Sequence, residues 1–215
     1  QYLLTPHAGT VSTHGRDLEA VVTLTPDRDG ALEFSLEEYE SSCRPRRDRR
    51  FDDCVADAEA LWQAYLQKVP ALPARYAAAR RLAAYVTWSS FVEPQGMLRR
   101  RTMLMSKNWM CAVWSWDHCF NAMALARHQP DLAWDQFMAP FDLQNPDGAI
   151  PDYADSHEIL WNYCKPPIHG WALDRMMRLN PRLVTPRRAA AAYSALRRWT
   201  RWWFTYCDPH HTGLP

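Results

Sequence analysis

The stretch NWMCAVWSWDHCFNAMALA, residues 108–126, is almost wholly apolar and aromatic and holds a single carboxylate, Asp117. Its composition predicts a buried helix near 115–128, which Ser115 can cap and Asp117 can stabilise through the helix dipole. Burying a carboxylate among aromatic rings costs several kcal/mol unless a partner satisfies it. A polyhydroxylated ligand would be such a partner, because sugars pack C–H faces on rings and donate hydroxyls to carboxylates. Two interpretations of Asp117 therefore stay open, a helix-capping acid and a ligand-binding acid.

Helical periodicity continues on both sides of this stretch. Upstream, the segment PARYAAARRLAAYVTWSSF predicts an amphipathic helix with Arg80 and Arg81 on its polar side. The residues of its other face recur at spacings of three and four: Tyr76, Ala79, Ala83, Val86 and Ser90. Downstream, the pattern predicts helices near 131–142 and 167–179, joined by loops that contain proline. With a connector helix at 52–68, the spacing predicts a mainly α protein with about five core helices.

The last helix has the clearest start signal. Thr185 is a good N-cap and Pro186 fits the first helical position. The apolar residues Ala189, Ala192, Tyr193, Leu196 and Trp203 then form a predicted stripe opposite the arginines of a helix that ends near residue 207.

The first forty residues carry strand signals. Residues 20–26, AVVTLTP, are rich in β-branched side chains, and a turn sequence, PDRDG, separates them from the alternating segment 31–39. The pattern predicts a hairpin over residues 20–39. The arginine-rich segment 44–50 that follows is interpreted as a solvated linker rather than a polyanion contact.

Composition excludes several classes of partner. The formal net charge of +1 gives no electrostatic case for nucleic acid or an anionic membrane surface. No apolar run approaches the roughly 18–20 residues of a membrane-spanning helix, and the N-terminus, which begins at Gln1, lacks a signal-peptide pattern. The six scattered cysteines are interpreted as reduced, buried thiols, and together these features favour a cytoplasmic location.

A long segment, residues 142–174, concentrates hydrogen-bonding and stacking side chains. Long ordered loops in compact domains are disproportionately functional. The alternative is a turn at residues 145–148 within an ordinary surface loop. Two other signals are weaker. The acidic sequence DDCVAD at residues 52–57 resembles a magnesium motif of prenyl-diphosphate enzymes, but acids are expected at the start of a helix. His118 and Cys119 are adjacent and would point about 100° apart on a helix, which disfavours a metal site with Cys111, so no metal or cofactor is predicted.

Three blocks in order then carry a family resemblance: MSKNWMCAVWSWDHCFNAMALA (105–126), LQNPDGAIPDY (143–153) and KPPIHGWAL (165–173). They resemble the inverting glycosidases of glycoside hydrolase family 63 and their relatives. These relatives include processing α-glucosidase, mannosylglycerate and glucosylglycerate hydrolases and, more distantly, trehalase.

The resemblance implies an (α/α)6 barrel preceded by a β-sandwich. Residues 1–43 would then be the tail of the sandwich and residues 44–71 a linker with a connector helix. Residues 72–215 would form roughly the first half of the barrel.

The resemblance also implies a sugar-binding role for Asp117, with Trp114 and Trp116 shaping the pocket and the loop contributing further groups. The predicted loop residues are Gln144, Asp147, Asp152, Lys165, His169 and Trp171. Lys165 stands where trehalase has a different residue, which argues against trehalose. Two interpretations of Lys165 stay open, a contact to an anionic aglycone and a solvent-exposed position.

Catalysis by inversion needs a general acid and a general base. In the relatives the acid follows the helix equivalent to 186–206 and the base lies near the end of the barrel, so both are expected beyond Pro215. The sequence therefore predicts part of an inverting α-glycosidase acting on small α-glucosides or α-mannosides, inactive alone. Its predicted partners are a small carbohydrate and the other half of the barrel or a second copy. Two alternatives stay open, a non-catalytic carbohydrate-binding or scaffold module and a magnesium-dependent prenyl enzyme.

Overall fold

The computed structural model describes residues 2–16, 19–39 and 49–215. The chain forms two compact units, Gln1–Leu61 and Trp62–Pro215. Cys43 and most of the predicted arginine-rich linker lie outside the described residues. The predicted domain boundaries at 43 and 71 stay predictions.

The first unit contains four strands: β1 (Tyr2–Ala8), β2 (Thr10–Arg16), β3 (Glu19–Thr25) and β4 (Glu33–Glu38). β2 pairs with β3, and β1 pairs with β4, both antiparallel. The predicted hairpin over 20–39 is therefore wrong in its pairing, although both of its strands exist. β1 and β2, which precede residue 19, form the backbone hydrogen bonds with β4 and β3. For this reason β3 and β4 do not pair with each other.

The connector helix is confirmed as α1 (Phe51–Gln67), and the next helix is α2 (Ala77–Trp88) after a short 3-10 turn. The predicted buried face of α2 is wrong. Ala84 is its buried residue, whereas Tyr76 and Val86 are half exposed. Arg80 lies on the inner side because its guanidinium donates to the backbone carbonyls of Leu66, Val69 and Pro70 at 2.7–2.8 Å and so caps the C-terminal end of α1.

Four further helices form the main core: α3 (Asp117–Leu125), α4 (Pro130–Met138), α5 (His169–Leu179) and α6 (Pro186–Tyr206). α3 packs against both α4 and α5. The largest fully buried side chains at their centre are Trp199, Phe137, Met176 and Leu183. A mainly α fold with small antiparallel sheets is thus confirmed, and its arrangement as half of a barrel stays a prediction.

The start of α6 follows the sequence prediction. The Thr185 side chain accepts a hydrogen bond from the backbone N–H of Arg188, and Pro186 occupies the first turn. The predicted stripe is confirmed at Ala192, which is buried, and at Leu196 and Trp203, which pack against the core, while Ala189 is exposed. The prediction is wrong at Tyr193, which is 69% exposed, because the buried face runs through Ala192, Ala195 and Trp199.

Short strands line the loops between the helices: β5 (Phe91–Val92), β6 (Thr102–Met103), β7 (Val113–Trp114), β8 (Tyr153–Ala154) and β9 (Ile159–Leu160). β7, β8 and β9 form a three-stranded antiparallel sheet. This sheet brings two predicted blocks together, because Trp114 pairs directly with Tyr153.

Within residues 2–16, 19–39 and 49–215, no helix has both the length and the apolar character to cross a membrane. The five described cysteines are free, as predicted. The prediction that they are buried holds for Cys119 and is wrong for Cys54 and Cys164, which are exposed.

Candidate functional site

The site begins at the end of β7, where the chain passes from strand to helix. Ser115 N–H donates to the carbonyl of Asp152 at 3.0 Å, which extends the β7–β8 pairing by one residue. Ser115 itself is buried and does not cap α3, so that prediction is wrong; Trp116 occupies the capping position without a side-chain bond. α3 then starts at Asp117.

A polar cluster forms around Trp114. Lys165 Nζ lies 2.6 Å from Asp152 Oδ1 and 4.9 Å from the centre of the Trp114 ring. The Tyr153 ring also packs against the Trp114 ring, and the two ring centroids lie 4.7 Å apart. The Asp152 carboxylate is almost completely buried, whereas Lys165 keeps a quarter of its side chain exposed. The ion pair therefore compensates a buried negative charge and leaves one edge open to solvent.

Asp117 lies in the electrostatic field of this cluster. Its carboxyl is partly buried, and desolvation raises its pKa. Its own backbone N–H, the Lys165 charge and the Trp116 side chain act in the opposite direction, while the charge of Asp152 adds to the rise. The structure thus brings together four predicted site residues, Trp114, Asp117, Asp152 and Lys165.

An aromatic ridge continues from Trp116 along the helices. The Trp116 ring lies 6.0 Å from that of Phe120, which lies 6.2 Å from that of Trp171. Phe120 and Trp171 are about half exposed. Trp116 and Trp171, both predicted from the sequence, therefore form a surface on which rings are available for stacking.

A cleft of about 370 Å3 opens on the Tyr153 side of Trp114. Its wall includes the exposed ring of Trp109 and the carboxylates Asp155 and Glu158. Met110, in the same wall, has a φ of 64°, a left-handed conformation that is unusual for a residue with a side chain. Backbone strain of this kind concentrates at functional sites.

Two predicted loop residues, Gln144 and Asp147, lie at the turn that joins the loop to α6. Gln144 Nε2 donates to the carbonyls of Gly148 and Ala195, which ties the loop to α6, while its Oε1 is buried without a hydrogen-bond partner among the described residues. Asp147 is exposed in the turn that follows. The φ of Gly148 is 106°, and a Cβ there would lie 2.4 Å from the Arg198 carbonyl, so the turn requires glycine.

His169 lies in the core at the start of α5. It is fully buried, and its Nε2 lies 3.0 Å from the Ser115 carbonyl, which can only accept, so Nε2 carries the proton. Burial lowers the pKa of His169 to about 4. His169 therefore supports the backbone just before Asp117 as a neutral ring.

Sequence reasoning placed Phe120 beside Asp117 and Tyr153 among the stacking groups of the loop, but assigned neither a binding role. Tyr153 faces Trp114 only because β7 and β8 pair across 39 residues. No local pattern indicates that register. Phe120, one helical turn after Trp116, could have been found from the α3 spacing.

The described residues contain no group of three or more His, Cys, Asp or Glu side chains that could hold a metal ion. His118 is fully buried, and its ring atoms lie within hydrogen-bond distance of Thr102 Oγ1 and the Trp114 carbonyl. Burial lowers the pKa of His118 to about 4 and raises that of Cys119 to about 12. Both side chains are core groups.

Comparison with known families adds one match. Residues 110–215 match the family model described as the mannosylglycerate hydrolase MGH1-like glycoside hydrolase domain. No curated protein matches the chain. The matched residues contain every residue of the polar cluster and of the aromatic ridge, and the match confirms the resemblance predicted from the three sequence blocks. Residues 110–215, just under half of the chain, are thus similar to the MGH1-like glycoside hydrolase domain, and this likeness indicates a glycosidase function in general.

Proposed function

We propose that residues 110–215 form the sugar-binding wall of an inverting α-glycosidase that acts on small α-glucosides or α-mannosides. The observation that carries this proposal is the polar cluster of Trp114, Asp152 and Lys165 beside Asp117. The Lys165 side chain keeps a quarter of its surface exposed, so this edge of the cluster is open to a ligand.

Asp117 is the proposed hydroxyl-binding carboxylate. Desolvation raises its pKa, so the folded protein holds a charge that is poorly solvated without a ligand. Hydroxyl donors from a bound sugar would stabilise the charged form and repay this cost. Lys165 keeps the negative charges of Asp117 and Asp152 from repelling each other strongly.

The rings supply the complementary apolar surface. The cleft beside Trp114 and Tyr153 has a volume within the usual range of small-ligand sites, about 300–1,000 Å3. The rings of Trp109 and Tyr153 border it, and Asp155 and Glu158 are its acidic lining residues, whereas Asp117 and the Lys165–Asp152 pair lie outside its lining. This combination of stacking faces and hydrogen-bond acceptors suits a neutral sugar.

The general acid and base are proposed to come from segments outside these 215 residues, as the resemblance implies. Asp152 is tied to Lys165, and the resemblance implies a binding role, not a catalytic one, for Asp117. Inverting enzymes hold their two catalytic carboxyls about 6.5–9.5 Å apart, with room for a water molecule between one of them and the sugar.

The proposal is tested by titrating the 215-residue chain with methyl α-D-glucopyranoside and with methyl α-D-mannopyranoside. Binding is measured by the heat released in a calorimeter. We expect saturable binding of at least one sugar. Asp117→Asn should weaken it about tenfold or more, because a charge-assisted hydrogen bond contributes about 1.5–3 kcal/mol. Asp174→Asn, which changes an exposed acid on α5, is the matched control and should bind as the parent does.

Hydrolysis of p-nitrophenyl α-glycosides by the same preparation separates binding from catalysis. No turnover is expected from the chain alone. Turnover that is lost in Asp117→Asn would place the acid and base within these residues and overturn that part of the proposal. Equal binding by both aspartate variants would overturn the assignment of Asp117.

A non-catalytic carbohydrate-binding module is the second candidate. The ion pair between Lys165 and Asp152 favours it for this chain, because a neutralised buried acid can position a ligand but is poorly suited to proton transfer. The two candidates differ in the parent protein, where a binding module shows saturable sugar binding and no hydrolysis.

A further inference from the structure

A second cavity, of about 630 Å3, lies between α4 and α6 and shares no residue with the sugar-binding cluster. Its charged lining consists of four arginines and two aspartates, Arg100, Arg182, Arg187, Arg188, Asp131 and Asp135. Trp134 and Met138 form its apolar part. A concave site of this size with converging guanidinium groups has the features of a small-ligand pocket.

Two of the arginines are held in fixed positions. Arg188 donates to Asp131 at 2.6 Å and to the Leu183 carbonyl at 3.0 Å, and its guanidinium lies 5.2 Å from the centre of the Trp134 ring. Arg100 bonds both oxygens of Asp142, at 2.6 and 2.9 Å, and Asp135 at 3.2 Å. Their side chains are only about a quarter exposed.

These two guanidinium groups retain donors that the protein does not use. A guanidinium carries five N–H donors. The bonds named above use two of them on Arg188 and three on Arg100, which leaves three and two. Both guanidinium groups are already ordered. Binding of a ligand that accepts hydrogen bonds from them would therefore cost little side-chain conformational entropy.

Arg182 and Arg187 supply the excess of positive charge. Both are exposed, and neither has a carboxylate within ion-pair distance in the described part of the chain. The four arginines outnumber the three nearby carboxylates Asp131, Asp135 and Asp142. The cavity therefore has buried positive groups whose charge is compensated and an uncompensated positive rim.

We infer that this cavity binds a small oxyanion, with a phosphate group as the best match. Phosphate presents several acceptor oxygens at the spacing of a guanidinium fork, and arginine pairs with it in a bidentate manner. A carboxylate presents the same fork with one fewer oxygen. The lining aspartates disfavour an extended polyanion, because a highly charged chain would have to pass their carboxylates.

The experiment titrates the full 215-residue chain with inorganic phosphate at constant ionic strength, with binding measured by calorimetry. Separate titrations with glucose 6-phosphate and glycerate distinguish an organic phosphate, free phosphate and a carboxylate as the natural source. The test variant is Arg182→Gln/Arg187→Gln. The control, Arg175→Gln/Arg201→Gln, removes the same charge from exposed helical positions outside the cavity.

We expect saturable binding that is roughly tenfold weaker in the cavity variant and unchanged in the control. A stronger response to glucose 6-phosphate than to inorganic phosphate would identify an organic phosphate as the ligand. Three results would overturn the inference: no saturation, equal weakening in both double variants, or undiminished binding in the cavity variant. Circular dichroism of both variants checks that the helices remain folded.

Discussion

Each of the two compact units of this chain is stabilised internally in a different way. Between residues 2 and 61, no described side chain is buried, and Val21 and Leu36 are more than 60% exposed although they lie in paired strands. From Trp62 onward, a continuous cluster of buried side chains connects α3, α4, α5 and α6. Backbone pairing thus organises the strands of the first unit, whereas side-chain burial stabilises the second unit, Trp62–Pro215, which we call the helical unit. Two-stranded ribbons alone are marginal in water, so we expect substitutions to have large effects only in the helical unit.

The largest effect is expected at Trp199. Its side chain is 2% exposed and its ring stacks on Trp202 at 5.2 Å and meets His169 at 6.3 Å. Trp199→Ala should lower the free energy of unfolding by about 3–5 kcal/mol, because it removes a large buried ring and leaves a cavity. Urea unfolding followed by circular dichroism measures this change.

Tyr193 provides the matched control on the same helix. It is 69% exposed, so Tyr193→Ala should change the free energy of unfolding by less than about 0.5 kcal/mol. Similar losses in the two variants would contradict the burial pattern of α6.

The buried histidines make the stability of the helical unit depend on pH, which provides a second test of the difference between the two units. His118 and His169 in the helical unit have pKa values of about 4, whereas His7 and His14 in the strands are exposed. A lowered pKa in the folded state means that the unfolded chain binds protons first, so the helical unit should lose stability as the pH falls from about 6.5 towards 4. Two such groups give a slope of up to about 3 kcal/mol per pH unit.

Urea unfolding at pH 7, 6 and 5 measures that slope. His169→Gln should roughly halve it, because one proton fewer is taken up on unfolding. His14→Gln should leave it unchanged. An unchanged slope in His169→Gln would show that other groups, such as the carboxylates, produce the acid sensitivity.

Local features of this fold could be predicted from the sequence. The cap of α6 was confirmed at Thr185, because an N-cap depends only on residues within one turn. The position of α2 was predicted, but its buried face was not. Arg80 turns inward to cap α1. A prediction from hydrophobic periodicity, in contrast, assigns every arginine to the exposed face of a helix.

Contacts between residues far apart in the sequence could not be predicted. The strand segments 20–26 and 31–39 were located, yet their partners were not, because strand pairing depends on contacts across the whole unit. The same holds for the site. The sequence identified Trp114, Asp117, Asp152 and Lys165 as candidates, but the 2.6 Å contact between Lys165 and Asp152 depends on how a long loop folds back. His169 was predicted as a ligand group because composition cannot distinguish a buried neutral ring from an exposed one.

The smallest effect is expected in the strands. Val21 is 63% exposed and lies opposite His14, so Val21→Ala should cost less than about 1 kcal/mol, the range of strand propensities. All eleven tryptophans lie at or after residue 62, so tryptophan fluorescence reports on the helical unit alone, whereas amide exchange resolves β2 and β3. Val21→Ala should speed amide exchange in β2 and β3 by less than about fivefold and leave the fluorescence midpoint unchanged. A clear shift of that midpoint would mean that the two units unfold as one cooperative body, and the division between paired backbone and buried side chains would no longer describe how this chain is stabilised.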